Sequence, residues 1–135
     1  MSEILQPPGW ALPKGYSNGM TVEGTQGRLV VTAGQIGWNP ETCQFETDDF
    51  AAQTAQALKN VVAVLRQARA EPLHLVRLTW YITDKAAYLA SQREIGQAYR
   101  EVMGKYFPAM SVVVVAGLLE ERAKVEIEAT AVVGE

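Results

Sequence analysis

The stretch "AKVEIEATAVV", residues 123–133, alternates without a break. Val125, Ile127, Ala129 and Ala131 fall on one face, and Lys124, Glu126, Glu128 and Thr130 on the other. A two-residue period of this kind is a β-strand with one face against a core. The face away from that core carries two carboxylates, and what they meet there bears on function.

Working outward, "HLVRLTWYITD" (74–84) alternates in the same way, with Val76, Leu78, Trp80 and Ile82 on one side. Leu75, Arg77, Thr79 and Tyr81 take the other, which makes that face mixed. Asp84 is placed to cap a helix over 85–103, with Ile95, Tyr99 and Val102 inward and Gly104 at its end. In "GKYFPAMSVVVVAGL" (104–118), Pro108 closes that segment and the four valines predict a strand buried on both faces. Met110 sits at the mouth of this strand. Upstream, Phe50, Thr54, Leu58, Val61, Leu65 and Ala68 follow spacings of four, four, three, four and three, one face of a helix over about 49–70. Asp48 or Thr47 can cap it, and Pro72 stops it. "GQIGWNPETCQFETDD" (34–49) reads as a loop, and "PPGWALPKGYSNG" (7–19) as an extended or turning arm. Between them, strands over 19–23 and 28–33 are split by the hairpin-like turn "GTQG".

The predicted order is β-β-α-β-α-β-β in one domain, residues 1–135. This is an α+β two-layer sandwich with both helices on one face of the sheet. The open face holds Leu75, Tyr81 and part of the valine strand, too apolar for water, beside Arg77, Glu126 and Glu128. A mixed face of this kind meets another subunit, so the chain is expected to oligomerise. Carboxylates at the edge of such an interface line a cleft.

Composition narrows the function. Hydrophobic residues make up 48% and charged residues 20% of the 135, as in soluble globular domains. The longest apolar run, 112–119, is too short to span a bilayer, so no membrane association is expected. "MSEILQPPGW" carries an acid and no basic or apolar leader region, so no export signal is expected and a cytoplasmic location is the default. The single cysteine, Cys43, fits a reducing compartment and has no His or Lys beside it to activate the thiol. His74 is the only histidine, begins a strand, and has neither metal-ligand spacing nor a serine nucleophile motif near it. A net charge of −3 with scattered Lys and Arg is a poor footprint for nucleic acid. The acidic balance and lack of a His pair argue against a ribonuclease.

Four separated stretches carry a resemblance. "VVTAGQIGWNPET", "AAQTAQALKNVVAVL", "LTWYITD" and "FPAMSVVVVAGL…AKVEIEATAVV" together resemble the RidA/YjgF proteins, in the same order and over nearly the whole chain. The resemblance implies a chorismate-mutase-like fold assembled as a homotrimer, with small-molecule clefts between subunits. It implies hydrolysis of reactive enamines and imines, such as 2-aminoacrylate, to ketoacids and ammonia, without metal or organic cofactor. Older labels for the family include translation inhibitor and endoribonuclease.

By the same resemblance, "KGYSNG" puts Tyr16 at the cleft tyrosine, and "VEIEA" puts Glu126 at the carboxylate that holds a water or relays a proton. The family's "SGQ" stands here as "AGQ", giving Gly34 and Gln35 as substrate-binding positions with Ala33 in place of the serine. The arginine of "PARS" is Met110 in "PAMS". In the deaminases that arginine forks two hydrogen bonds onto the substrate carboxylate. Losing such a pair costs about 2–5 kcal/mol, or about thirty- to several-thousand-fold in rate. The chain is therefore expected to belong to a subgroup without that anchor and to take a substrate other than the small 2-imino acids. Arg93 falls where the deaminases carry an asparagine near the cleft and is a candidate displaced cation; the alternative is a solvated arginine paired with Glu94 or Gln97. Trp38 either walls the pocket or packs its own loop. Trp80 and Tyr99 read as core. Two functions follow: an imine or enamine hydrolase with an altered substrate, or a trimer that binds or senses a small metabolite without chemistry.

Overall fold

The computed structural model describes residues 2–12, 15, 17, 19–22 and 27–134. Its elements are β1 (Ser2–Leu5), β2 (Gly19–Val22), β3 (Arg28–Val31), β4 (Gln35–Ile36), α1 (Phe50–Gln67), β5 (Leu75–Ile82), α2 (Lys85–Ala90), α3 (Gln92–Met103), β6 (Ala109–Val114) and β7 (Val125–Val133). A short 3-10 turn, Pro72–His74, leads into β5.

The alternation of β7 is realised residue by residue: Val125, Ile127, Ala129, Ala131 and Val133 are buried and the residues between them half-buried. β7 lies inside the sheet order β3-β7-β5-β6, and β4 also pairs with it. It runs antiparallel to β5, setting Leu78 opposite Ala129, Trp80 opposite Ile127 and Ile82 opposite Val125. These pairs form the floor of the core. Phe50, Leu58, Val61 and Leu65 of α1, with Ile95, Tyr99 and Met103 of α3, close over it. β5 and β6 are parallel and joined through α2 and α3, as a crossover requires.

The caps follow local chemistry. Asp49, rather than Asp48 or Thr47, caps α1 by accepting from the Ala52 amide at 2.9 Å. Thr47 Oγ1 accepts from the Asp49 amide, and Asp48 turns away to pair with Arg122 at 2.9 Å. Asp84 caps α2 as expected, accepting from the Ala87 amide at 3.0 Å. The predicted single helix over 85–103 is interrupted at Ser91, whose amide donates back to the Tyr88 carbonyl.

Three expectations are corrected. The strands at 19–23 and 28–33 do not form a hairpin: β2 pairs antiparallel with β1, and β3 with the end of β7. β3 pairs with residues 130–133 along the other edge of β7 from β5, and β2 pairs with the equally short β1, which precedes the stretch read as an arm. Leu75 is not on the open face. Two residues of β5, Leu75 and Arg77, span one step of β7, Ala131 to Thr130. This bulge at Val76 reverses the phase and buries Leu75. Finally, the valine strand is not buried on both faces. Among the described strands β6 pairs with β5 alone, with a single bridge from Ser17 at Ala109, and Val112, Val113 and Val114 are 40%, 42% and 51% exposed. It is an apolar edge, the kind of surface that proteins cover or pair.

Candidate functional site

The segment that runs from β3 into β4 along the edge of β7 builds the first half of the site. Val31 pairs with Thr130 and Gln35 with Ile127, so the edge strand carries one extra residue over this step. Thr32 bridges the irregularity: its amide donates to the Ala129 carbonyl at 3.0 Å, and its Oγ1 accepts from the Ala129 amide at 3.1 Å. The two glycines of "GQIG" then have separate reasons. A Cβ on Gly37 would enter the backbone of Gln53 on α1, and a Cβ on Gly34 would collide with the Glu126 carboxylate. Asn60, buried on α1, holds the loop in place by donating from Nδ2 to the carbonyls of Ile36 and Trp38, both at 3.0 Å.

Gly34, Gln35 and Glu126 are thus brought together. The Gln35 side chain turns back onto the Ala33 carbonyl at 3.3 Å. Glu126 accepts no hydrogen bond among the described residues. Glu128, on the same face, is engaged by the Tyr81 hydroxyl at 2.8 Å. That bond, with desolvation and the nearby carboxylates, raises the Tyr81 pKa, so the phenol stays a donor. Arg77 completes this face by donating to Ser111 Oγ at 3.3 Å.

Met110 belongs to a different surface. It is in register with Leu78, whose side chain is in the core, whereas Glu126 is in register with Tyr81 on the open face. Within one chain Met110 and Glu126 therefore lie on opposite faces of the sheet. Met110 packs against the core cluster and lines a cavity of about 400 Å³ between β6 and α3. Trp80, Tyr88, Ile95, Tyr99 and Phe107 line it from the apolar side, and Gln92 and Arg100 from the polar side. Burial pushes the Tyr88 and Tyr99 hydroxyls up in pKa, and Tyr99 donates to the Tyr106 carbonyl at 2.6 Å.

Two other candidates fall elsewhere. Trp38 packs against Phe45 in its own loop, ring centroids 5.8 Å apart, and does not line the Met110 cavity. Arg93 is exposed and outside the cavity lining, and Gln97 bonds Glu101 instead of Arg93. Tyr16 lies outside the described residues. The sequence reading missed Arg100, whose signal was its spacing: Gln92, Gly96 and Arg100 recur every four residues along α3. Cys43 is exposed in a turn, and His74 Nδ1 accepts from the Glu71 amide at 2.9 Å, a local structural role. Among the described residues no group of three His, Cys, Asp or Glu side chains gathers as a metal site needs. None of the described helices is long and apolar enough to cross a membrane.

Comparison with known proteins agrees along the chain. The family model described as endoribonuclease L-PSP matches residues 11–133. The 2-iminobutanoate/2-iminopropanoate deaminase of Escherichia coli is 36% identical over 106 residues, 78% of this chain and 80% of that protein. A RutC family protein of Aquifex aeolicus is 36% identical over 138 residues, covering 98% of this chain and 99% of its own. Among solved structures, YyfB of the conserved Rid protein family from Yersinia pestis superposes with a TM-score of 0.82 at 31% identity, covering 98% of both chains. With the Glu126–Gly34 edge and this α+β sheet in hand, the chain belongs to the endoribonuclease L-PSP family, that of the RidA/YjgF proteins.

Proposed function

We propose that this protein hydrolyses reactive imines or enamines to carbonyl compounds and ammonia, on a substrate other than the smallest 2-imino acids. The observation that carries this reading is the Glu126 carboxylate, seated over Gly34 with no hydrogen-bond donor of its own among the described residues. It is free to hold a water. As that water adds to the C=N carbon, Glu126 takes one of its protons and passes it to nitrogen, giving a carbinolamine. The carbinolamine hydroxyl proton then moves through Glu126 to nitrogen, and the C–N bond breaks as the C=O forms and ammonia leaves. The relatives named as 2-iminobutanoate/2-iminopropanoate deaminases support the reaction class. Met110 carries the difference in substrate, since a thioether cannot fork hydrogen bonds onto a carboxylate.

The site is read as shared between subunits of a homotrimer. Met110 and Glu126 are on opposite faces of one sheet, so a cleft holding both takes one from each of two chains. The exposed apolar residues Leu29, Val31 and Val113 give the open face reason to be covered. Tyr16 is assigned to this cleft by the family motif alone. Cytoplasmic residence accords with a reaction on soluble metabolites. A second reading, binding without chemistry, is favoured by the apolar lining around Met110.

Ammonia release from 2-aminoacrylate tests the reading. The wild type is expected to be slow, and Met110→Arg faster, with some loss of stability from placing a guanidinium in a half-buried position. A wild type that is fast and a Met110→Arg variant that gains nothing would overturn the altered-substrate account.

A further inference from the structure

Three amide side chains recur along α1 at spacings of three and four: Gln53, Gln56 and Asn60. Gln53 is fully buried and Asn60 only 4% exposed, a costly place for a carboxamide unless its groups are paired. Both are paired. Gln53 Nε2 donates to the Thr47 carbonyl at 3.0 Å and the Arg122 carbonyl at 3.1 Å, and its Oε1 accepts from the Lys124 amide at 2.9 Å. Asn60 Nδ2 donates to the Ile36 and Trp38 carbonyls, and its Oδ1 accepts from Gln56 Nε2 at 2.8 Å. Each amide thus gives both of its donors to backbone carbonyls outside α1.

These bonds converge on one residue. Ile36 is the register partner of Glu126 across β4 and β7, and Gln53 grips the chain at Arg122 and Lys124, just before Glu126. The sheet alone holds Glu126 poorly, because its strands end there. β4 stops at Ile36, β7 begins at Val125, and β5 stops at Ile82, opposite Val125. Strand ends open at little cost in free energy. Gly37 brings the backbone of the turn against that of Gln53, so loop and helix meet directly.

We propose that Asn60 and Gln53 are positioning residues for Glu126, clamping to α1 the two strand ends between which its carboxylate stands. The inference rests on the imine-hydrolase reading and adds what keeps that carboxylate over Gly34. Asn60 fixes the strand beside Glu126, Gln53 fixes the chain leading into it, and Gln56 orients Asn60. Both amides are buried and bonded to backbone, so they act on the reaction through Glu126. Their loss should therefore show in kcat, where the attacking water is oriented, and not in KM.

The test follows ammonia release from 2-imino acids generated in place by an amino-acid oxidase, together with the carboxyl carbon NMR resonance of Glu126. Asn60→Leu and Gln53→Met keep the side-chain volume and remove the bonds. Each should lower kcat about tenfold or more, as a misplaced reacting group does, and leave KM within about twofold. Both should move the Glu126 resonance. Gln56→Leu leaves both carbonyls covered, so it reports even where the larger changes cost too much stability. Its kcat should fall about two- to tenfold, the scale of one neutral hydrogen bond. Leu65→Ala, in the core on the same helix, should lower Tm with kcat and the Glu126 resonance unchanged. A kcat loss in Leu65→Ala as large as in Asn60→Leu, a rise in KM with kcat unaltered, or an unmoved Glu126 resonance in the amide variants would each overturn the proposal. The resonance is read whether or not imines turn over, which separates the two readings. Release that survives Asn60→Leu and Gln53→Met sinks the positioning alone, and a moved resonance in a protein that releases no ammonia sinks the hydrolase reading alone.

Discussion

Tyr81 donates a 2.8 Å hydrogen bond to Glu128 Oε1, so the second carboxylate of "VEIEA" is engaged within its own sheet. Glu126, two residues earlier on the same face, lies over Gly34 instead. Two chemically identical side chains are thereby given different work by their neighbours. One braces β5 against β7, and the other is left able to hold a water.

Gly34→Ala should damage activity without unfolding the protein. The added methyl would meet the Glu126 carboxylate and the chain behind it, so the carboxylate must move. Overpacking of this kind costs about 1–3 kcal/mol. A Tm lowered by a few degrees with imine hydrolysis cut more than tenfold is the expected pair of results. Unchanged turnover would show that the position of Glu126 does not matter.

The assembly should be a trimer in solution at micromolar concentration. Light scattering is expected to give three times the 14.8 kDa chain mass. Replacing Val113, exposed on β6, with Lys should weaken the assembly and lower activity together, because the proposed cleft takes residues from two chains. A fully active monomer would contradict the shared site.

Alkaline pH should destabilise the protein in a way that Tyr99 partly controls. Burial raises its pKa above the ordinary 10.0, so the folded state keeps a proton that the unfolded state loses. The folded state binds more protons above about pH 10, and stability therefore falls as pH rises beyond that point. Tyr99→Phe should cost about 1 kcal/mol at neutral pH, through the lost bond to the Tyr106 carbonyl. Its urea midpoint should then decline less steeply between about pH 10 and 11 than that of the wild type. An identical slope in the two proteins would remove Tyr99 from the account.

The sequence carried β7 and α1 in full, because each has an unbroken period from end to end. Leu75 was misplaced because one extra residue at Val76 reverses the phase, and a bulge leaves no mark in composition. Val112, Val113 and Val114 read as interior since their chemistry suits an interior; edge position is set by strand order, which alternation does not encode. The same limit hid the relation of Met110 to Glu126. Each strand shows its own two faces, but only the register through Leu78 and Tyr81 says which faces coincide. Arg100 went unnoticed for another reason: a basic residue in the last turn of a helix is ordinary there. Its place in the cavity depends on Gly96 and β6, which lie apart from it in the chain or on a different turn.

The most direct measurement compares Glu126→Gln with Glu128→Gln. Ammonia release is followed from 2-imino acids generated in place by an amino-acid oxidase, including the imine of phenylalanine. Loss of a general acid–base group costs about a hundredfold or more in rate. Glu126→Gln should fall by that much with the trimer intact, while Glu128→Gln retains most activity and loses some stability with the Tyr81 bond. Equal loss in both variants, or full activity in Glu126→Gln, would contradict the account.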